Sequence, residues 1–244
     1  RKKDLTPVTL ADTIANSYIT TFLRGYFPCD TIVSEEEEII KGSSGRGWYI
    51  DPLDGTTGFG NHTDQFAVHI GFVVNSEPVM GIVYKPTTKE YYWAIKGRGA
   101  YRESPTRERL TFPSIRLPST DNCEVGLISD VSFLMSDAGR ATIKNLGDPK
   151  VDVSGSCGLR FMRVAEGFAE SNLSNCKGRA RTWDICAPQI IAEEAGATVA
   201  YLDGSVVRYN GDDRLTMPII VTRDKSKIPF IRDAYATAHG GYVF

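Results

Sequence analysis

The sequence predicts a protein of mixed α and β structure that is built as two lobes. Apolar residues recur at helical spacing within residues 4–24. Two runs rich in β-branched and aromatic residues, 66–74 and 79–84, are separated by a short turn and indicate antiparallel strands. A polar stretch rich in Pro, Ser, Thr and Arg at 102–122 marks the boundary between the lobes. With 244 residues, the chain is long enough for one large domain or two modest ones.

The first lobe is expected to span residues 1–115 as an α+β unit. It opens with an amphipathic helix within residues 4–24, near whose start Asp12 either favours the helix dipole or serves a functional site. A short strand then runs into the acidic sequence S-E-E-E-E at 34–38. Because Glu35 directly follows the apolar strand, it is the acid that we expect to point inward as a ligand.

The second lobe is expected to span residues 116–244 as an α/β unit. A glycine- and serine-rich turn at 154–158 leads into a helical segment that carries Arg160. Such a turn can hold an anion with its amides while the arginine adds charge, although an ordinary strand-to-helix turn explains the same pattern. Asp184 precedes an apolar helix that ends near Gly196. It acts there either as an N-cap or as a carboxylate presented to a cation.

The stretch W-Y-I-D-P-L-D-G-T-T at 48–57 is the strongest candidate for a functional site. Its first three residues have the composition of a short buried strand, and Pro52 cannot continue a hydrogen-bonded ladder. We therefore expect the chain to turn at Asp51, which would bring Asp51 and Asp54 to one side. Carboxylate and main-chain oxygens are the ligands that Mg²⁺ prefers, and Mg²⁺ commonly shares them with a substrate phosphate.

Gly55 and Thr56 give the same stretch the character of a phosphate-binding element. Gly55 lacks a Cβ, so a ligand can approach the backbone closely, and Thr56 offers a hydroxyl and an amide where the pattern predicts a helix N-terminus. An ordinary acidic turn is the alternative interpretation, because D-P and D-G are common loop dipeptides.

Composition restricts the partners and the compartment of the chain. Charged residues make up 24% of the sequence and the formal net charge is −2, which gives no general attraction to nucleic acid polymers or to anionic membranes. No apolar run reaches the roughly 18 residues of a membrane-spanning helix. The five cysteines are scattered and lack C-x-x-C spacing, so we expect reduced thiols in a cytoplasmic protein.

Several motifs, in order along the chain, resemble those of one phosphatase superfamily. They are S-E-E at 34–36, D-P-L-D-G-T at 51–56, G-S at 155–156 and W-D at 183–184. The superfamily comprises the Mg²⁺-dependent, lithium-sensitive inositol monophosphatases, fructose bisphosphatases and 3′,5′-bisphosphate nucleotidases, and the resemblance runs nearly end to end. It implies an α/β fold, a two-lobed layered αβαβα sandwich of the inositol monophosphatase/fructose bisphosphatase type, with the site between the lobes.

The resemblance also implies a role for individual residues. The implied ligands of two or three Mg²⁺ ions are Glu35, Asp51, the main-chain oxygen of Leu53, Asp54 and Asp184. The implied catalytic residues, which orient and deprotonate the attacking water, are Asp12, Glu35 and Thr56. The implied substrate contacts are Glu35, Leu53, Asp54, Gly55, Thr56, Gly155, Ser156, Arg160 and Asp184. Divalent ions fit physically, because they neutralise gathered carboxylates and hold the phosphate dianion.

Within the superfamily the chain looks most like the CysQ branch, which removes the 3′-phosphate from adenosine 3′,5′-bisphosphate. The features in common include A-V-H-I at 67–70 and L-D-G-S at 202–205. This implies that the substrate is a small phosphorylated metabolite and leaves a homodimer open. CysQ-like proteins often carry lysine or arginine where Thr57 stands here, so an inositol phosphatase or a fructose 1,6-bisphosphate phosphatase is an alternative. A rival of another class is a non-catalytic regulator that binds phosphate or metal. The family's first helix is expected to be missing before Arg1.

Overall fold

The computed structural model describes residues 9–104, 123–174 and 180–241. The elements of the first part are α1 (Leu10–Tyr26), β1 (Thr31–Ser34), β2 (Arg46–Asp54), α2 (Thr56–Gly60), β3 (Ala67–Val74), β4 (Glu77–Lys85), β5 (Glu90–Ile95) and β6 (Ala100–Glu103). Those that follow are β7 (Val125–Ser129), α3 (Val131–Met135), α4 (Asp137–Asn145), β8 (Val151–Val153), α5 (Cys157–Ala165), β9 (Ala169–Ser174), α6 (Thr182–Glu194), β10 (Thr198–Tyr201), β11 (Ile219–Thr222) and α7 (Ile228–Ala238). The expected lobe boundary, between residues 115 and 116, lies outside the described residues.

The strands form two sheets. The first, of six strands, has the order β1-β2-β3-β4-β5-β6, and the second, of five strands, has the order β10-β11-β9-β7-β8. In the first sheet only β1 and β2 pair in parallel, which agrees with the antiparallel hairpins predicted for residues 66–84. The second sheet is mixed, because β7 pairs in parallel with both β8 and β9.

Three hydrophobic clusters place the helices against these sheets. α1 packs through Leu23 on one face of the first sheet, at Trp48 and Ile50. α5 and α6 lie between the two sheets within the largest cluster. α7 packs through Ile231 and Tyr235 on the far face of the second sheet. The order of layers is therefore α-β-α-β-α, as predicted. Within the described ranges, no helix has the length and apolarity needed to cross a membrane.

The strand that carries the two central acids does not end where the sequence predicted. β2 continues through Pro52 to Asp54, so the expected turn at Asp51 was wrong. The pairing with β3 shifts register between Asp51, opposite His69, and Asp54, opposite Ala67. A β-bulge tolerates proline because its extra residue is left out of the hydrogen-bonded ladder. The bulge keeps both acids within one buried strand.

The first helix is present as predicted, but the face that it buries differs from a simple apolar stripe. Its buried residues are Asp12, Asn16, Thr20 and Leu23. Ile14, Tyr18 and Phe22 are instead 59%, 78% and 53% exposed. The residues of this helix that face the first sheet are therefore mostly polar, and they lie close to the end of β1.

Helix α6 approaches the first sheet at two glycines. A Cβ at Gly71 would lie 2.5 Å from the Sγ of Cys186, and one at Gly81 would lie 2.4 Å from the main-chain oxygen of Ala187. The absence of a side chain at both positions lets the helix backbone rest directly on β3 and β4. This close packing sets the depth at which the N-terminus of α6 enters the site.

Candidate active site

Four carboxylates from three parts of the fold lie close to one another. Glu35 follows β1, Asp51 and Asp54 belong to β2, and Asp184 lies in the first turn of α6. Asp51 is only 1% exposed. Its pKa is raised well above the ordinary value by burial, and further by the negative charges of Glu35, Asp54 and Asp184. The four acids that the resemblance implies as metal ligands are thus close enough to repel one another.

The pKa of Asp184 is shifted by the same two causes, burial and neighbouring negative charges. Burial, followed by the charges of Asp54 and Glu35, raises its pKa to about 8. Its carboxylate accepts a hydrogen bond from the amide of Arg181 at 2.7 Å. The helix begins at Thr182 with Arg181 as its N-cap, so of the two interpretations of Asp184 the N-cap was wrong. Asp184 is instead the third residue of the helix and the acid of a capping-box arrangement.

Asp54 is tied to the N-terminus of α5. Its Oδ2 accepts hydrogen bonds from Ser156 Oγ at 2.6 Å and from the amide of Gly158 at 2.8 Å. The Nε2 of His69 lies 3.3 Å from the same oxygen. Three groups therefore approach one oxygen of Asp54, and two of them come from the second half of the chain.

These acids fit a divalent cation by their chemistry, since hard cations such as Mg²⁺ take carboxylate and carbonyl oxygens. Their mutual repulsion is also the situation that a cation relieves. As they stand, no three His, Cys, Asp or Glu side chains among the described residues converge closely enough to hold a metal ion. Asp54 and Asp184 each accept hydrogen bonds from protein donors through Oδ2.

Gly55 and Thr56 form the turn that follows β2. Gly55 has a φ of 89° and precedes the short helix α2. A Cβ there would lie 2.4 Å from the main-chain oxygen of Gln65, so only glycine fits. The hydroxyl of Thr56 donates to the main-chain oxygen of Leu53 at 3.3 Å, and the amide of Leu53 donates to Asp51 Oδ1 at 2.9 Å. The predicted catalytic hydroxyl is thus linked through Leu53 to a predicted metal ligand.

Asp12 has an evident structural role. It is fully buried and accepts hydrogen bonds from the amide and the hydroxyl of Thr9, at 2.9 and 2.6 Å, which completes the capping box of α1. One turn later, Asn16 accepts a hydrogen bond of 2.6 Å from Ser34 Oγ, next to Glu35. Residues four apart share a helix face, so Asp12 lies on the face that meets the end of β1. Its catalytic role stays a prediction.

The turn before α5 connects the two halves of the chain. The amide of Gly155 donates to Gln65 Oε1 at 3.0 Å, and Ser156 caps α5 by accepting from the amide of Leu159 at 3.1 Å. Arg160 is only 5% exposed and donates to the main-chain oxygen of Ser154 at 2.7 Å. Its guanidinium therefore supports the turn from within, and its contact with substrate stays a prediction.

Two residues at this site were not among the predicted site residues. Gln65 lies in an ordinary loop and belongs to no motif, so nothing marked it before its contact with Gly155 was visible. His69 stands in a strand-like run, where it is indistinguishable from a core histidine. The alternation of β3 was the available signal, because it places His69 on the same buried face as Ala67 and Gly71.

Known proteins share both the sequence pattern and the fold. The model of the inositol monophosphatase family matches residues 1–231. The chain belongs to the inositol monophosphatase family. It is therefore a phosphatase of that family, and the layered α/β sandwich is confirmed.

Two relatives differ in their activities. A 3′(2′),5′-bisphosphate nucleotidase CysQ from Aggregatibacter actinomycetemcomitans is 31% identical over 226 residues, covering 90% of this chain and 81% of the relative. An inositol monophosphatase from Mesembryanthemum crystallinum is 29% identical over 242 residues, covering 95% of this chain and 82% of the relative. A solved structure of an IMPase/NADP phosphatase complexed with Mg²⁺ and phosphate has a TM-score of 0.78 at 24% identity. It covers 100% of this chain and 87% of its own, and shares the fold.

Proposed function

We propose that this chain is a Mg²⁺-dependent phosphomonoesterase that removes the 3′-phosphate of adenosine 3′,5′-bisphosphate, giving AMP and phosphate. The observation that carries the proposal is the mutual approach of Glu35, Asp51, Asp54 and Asp184, seen in the raised pKa values of Asp51 and Asp184. The choice of substrate is supported by the CysQ relative, which is 31% identical over 90% of this chain.

The cations would be held by these four carboxylates and by the main-chain oxygen of Leu53. When bound, Mg²⁺ supplies Lewis-acid stabilisation of the phosphoryl charge and makes water more acidic. The chain contributes the position of the acids: β2 fixes two of them through its bulge, and α6 brings Asp184 from the other half. Site formation therefore depends on the contact between α6 and the first sheet.

The remaining groups would bind the phosphate and prepare the water. Gly55 takes a left-handed conformation at the start of α2, and no side chain in the described ranges caps this helix. Thr56 would orient the attacking water. With Glu35 or Asp12, it would also take up the proton that the water loses. Gly155 and Ser156 would face the rest of the substrate, from a turn that Gln65 and Asp54 hold in place.

The decisive experiment compares three substrates under identical conditions. Phosphate release with Mg²⁺ is measured from adenosine 3′,5′-bisphosphate, inositol 1-phosphate and fructose 1,6-bisphosphate, each with and without lithium. We expect a strong preference for the nucleotide and suppression by lithium. No release from any of the three would contradict the enzyme proposal and favour a non-catalytic binder of phosphate or metal.

Inositol phosphate is the second candidate substrate. Thr57 follows D-G-T where CysQ-like sequences often carry a basic residue, and the Mesembryanthemum relative is 29% identical over 95% of this chain. A preference for inositol 1-phosphate in the same assay would keep the proposed metal site and replace the nucleotide as substrate.

We also propose that the enzyme works in the cytoplasm. The cysteines in the described part of the chain, Cys29, Cys123, Cys157 and Cys186, are all free thiols, as suits a reducing compartment. Thiol titration of protein purified without reductant should find them reduced. A disulfide in that material would argue against this location.

A further inference from the structure

His69 is a buried polar residue at the site that the proposed mechanism does not use. Its side chain is fully buried, and among the described residues neither ring nitrogen has a hydrogen-bond partner of good geometry. Leaving a buried polar group unpaired costs on the order of 1–3 kcal/mol. Such a group in a native structure therefore calls for an explanation.

The surroundings of the ring are specific. His69 lies directly opposite Asp51 in the β2–β3 pairing, so both side chains belong to one face of the sheet. Its Nε2 is 3.3 Å from Asp54 Oδ2. The ring also interacts with the backbone at Trp183 and Asp184, where α6 begins. One imidazole thus contacts Asp54 and the main chain of Asp184, two of the four acids, which come from different halves of the chain.

The fold makes room for this ring at a glycine. A Cβ at Gly158 would lie 2.1 Å from Nε2 of His69, so no side chain fits there without moving the imidazole. The amide of Gly158 itself donates to Asp54 Oδ2 at 2.8 Å. Gly158 therefore serves two contacts of the same carboxylate: it bonds to the oxygen and leaves space for the ring beside it.

We propose that His69 is a positioning residue of the cation site, which steers Asp54 through Oδ2 and sets its place relative to Asp184. This rests on the proposed function. The contacts of Ser156, Gly158 and His69 all reach Oδ2, so the carboxylate oxygen that they leave to a cation is Oδ1. An imidazole with its proton on Nε2 donates to Asp54 Oδ2, which leaves Oδ1 for the cation.

Two substitutions distinguish a steering role from mere filling of space. In His69→Gln the side-chain amide nitrogen reaches the position of Nε2, whereas in His69→Asn it reaches only the position of Nδ1. Mg²⁺ affinity is measured by calorimetry on the purified protein, together with thermal unfolding in a chelator and phosphate release. We expect His69→Asn to weaken Mg²⁺ binding by about 10–100-fold, the usual effect of losing a partner of a metal ligand. His69→Gln should recover most of that loss.

Two further variants complete the test. Gly158→Ala displaces the ring without changing it and should weaken Mg²⁺ binding in the same direction as His69→Asn. His62→Asn is the matched control, because His62 lies in an exposed turn with a φ of 56°, which asparagine tolerates. It should leave Mg²⁺ affinity unchanged.

Each remaining outcome has one meaning. Equal losses of Mg²⁺ affinity in the Gln and Asn variants, or a lower melting temperature with unchanged affinity, would overturn the steering role and leave His69 as a packing residue. Absence of Mg²⁺ binding in the wild-type protein would overturn the proposed function itself. Because that result concerns the unaltered chain, the two failures are distinguishable.

Discussion

Asp54 is the residue on which both halves of the site depend, since its carboxylate is held by Ser156 and Gly158 and repels Asp51 and Asp184. For Asp54→Asn we expect phosphate release to fall at least about 100-fold, because losing a metal ligand costs more than losing one of its partners. The fold should persist, since an amide oxygen still accepts from Ser156 and Gly158. Steady-state turnover and thermal unfolding measure the two effects.

Asp64→Asn is the matched control for this substitution. Asp64 is an exposed acid, 65% accessible in its side chain, and it pairs with Lys85 on the surface at 3.0 Å. Surface pairs contribute little, so both turnover and melting temperature should stay near the wild-type values. Unchanged phosphatase activity in Asp54→Asn would remove Asp54 from the metal site.

The sequence predicted the acids of the site better than it predicted their surroundings. Asp51, Asp54 and Glu35 were recognisable because a carboxylate next to an apolar strand or in a D-P-L-D-G-T motif is chemically conspicuous. The hydrogen bond from Arg160 to the main-chain oxygen of Ser154 was not foreseen, whereas the predicted contact of Arg160 with substrate stays a prediction. A side chain's direction depends on contacts between distant segments, and a single sequence does not show these.

At the level of elements, the close packing of α6 on β4 should make the protein sensitive to substitution of Gly81. In Gly81→Ala the new Cβ would lie 2.4 Å from the main-chain oxygen of Ala187, so backbone must move. Overpacking of this kind costs about 1–3 kcal/mol. The melting temperature should fall by about 2–4 °C for each kcal/mol in a chain of this size. Gly25→Ala is the control, because nothing lies within 4 Å of its Cβ. Equal stability of the two variants would contradict the close contact between Gly81 and Ala187.

Asp30, immediately before β1, should give the protein a measurable acid sensitivity. Burial alone would raise the pKa of Asp30, but hydrogen bonds from Ser44, Arg46 and Trp48 outweigh it and lower the pKa below the ordinary value of 3.8. These bonds are 2.7, 2.8 and 3.0 Å long. A lowered folded-state pKa stabilises the protein above pH 3.8 and ceases to do so as the pH falls through the folded value.

The corresponding variant is Asp30→Asn, examined by urea unfolding at pH 7 and at pH 3. It should be less stable than the wild type at pH 7, and the difference should shrink at pH 3, because below pH 3.8 the unfolded state takes up a proton more readily than the folded state does. A difference of the same size at both pH values would show that the charge of Asp30 is irrelevant.

The sequence predicted which helices and strands are present better than it predicted where they end or which side of a helix is buried. The hairpins of β3 to β5 follow from alternating apolar residues and short turns, and α1 follows from its helical spacing. The extension of β2 through Pro52 depends on a bulge, which only the pairing with β3 reveals. The apolar pattern of α1 also did not predict its buried face, since Ile14 and Tyr18 are exposed while Asp12 and Asn16 are buried.

For the whole molecule, the carboxylate site should lower stability in the absence of cations. Asp51 is buried among Glu35, Asp54 and Asp184, and burial together with their charges raises its pKa well above the ordinary value. An unfolded aspartate is ionised at pH 7. Folding must then either bury the charge beside three others or take up a proton, and both processes cost free energy. Sites built for function commonly carry such a cost in stability.

Asp51→Asn tests this expectation, because asparagine is uncharged and keeps an oxygen to accept from the amide of Leu53. In a chelator we expect the variant to melt at a higher temperature than the wild type. With Mg²⁺ the order should reverse, since a cation at 100 times its dissociation constant stabilises the wild type by about 2.7 kcal/mol. The variant has lost a ligand and should gain little. A lower melting temperature for Asp51→Asn in chelator would refute the repulsion, and an equal Mg²⁺ shift in both proteins would refute the assignment of Asp51 as a ligand.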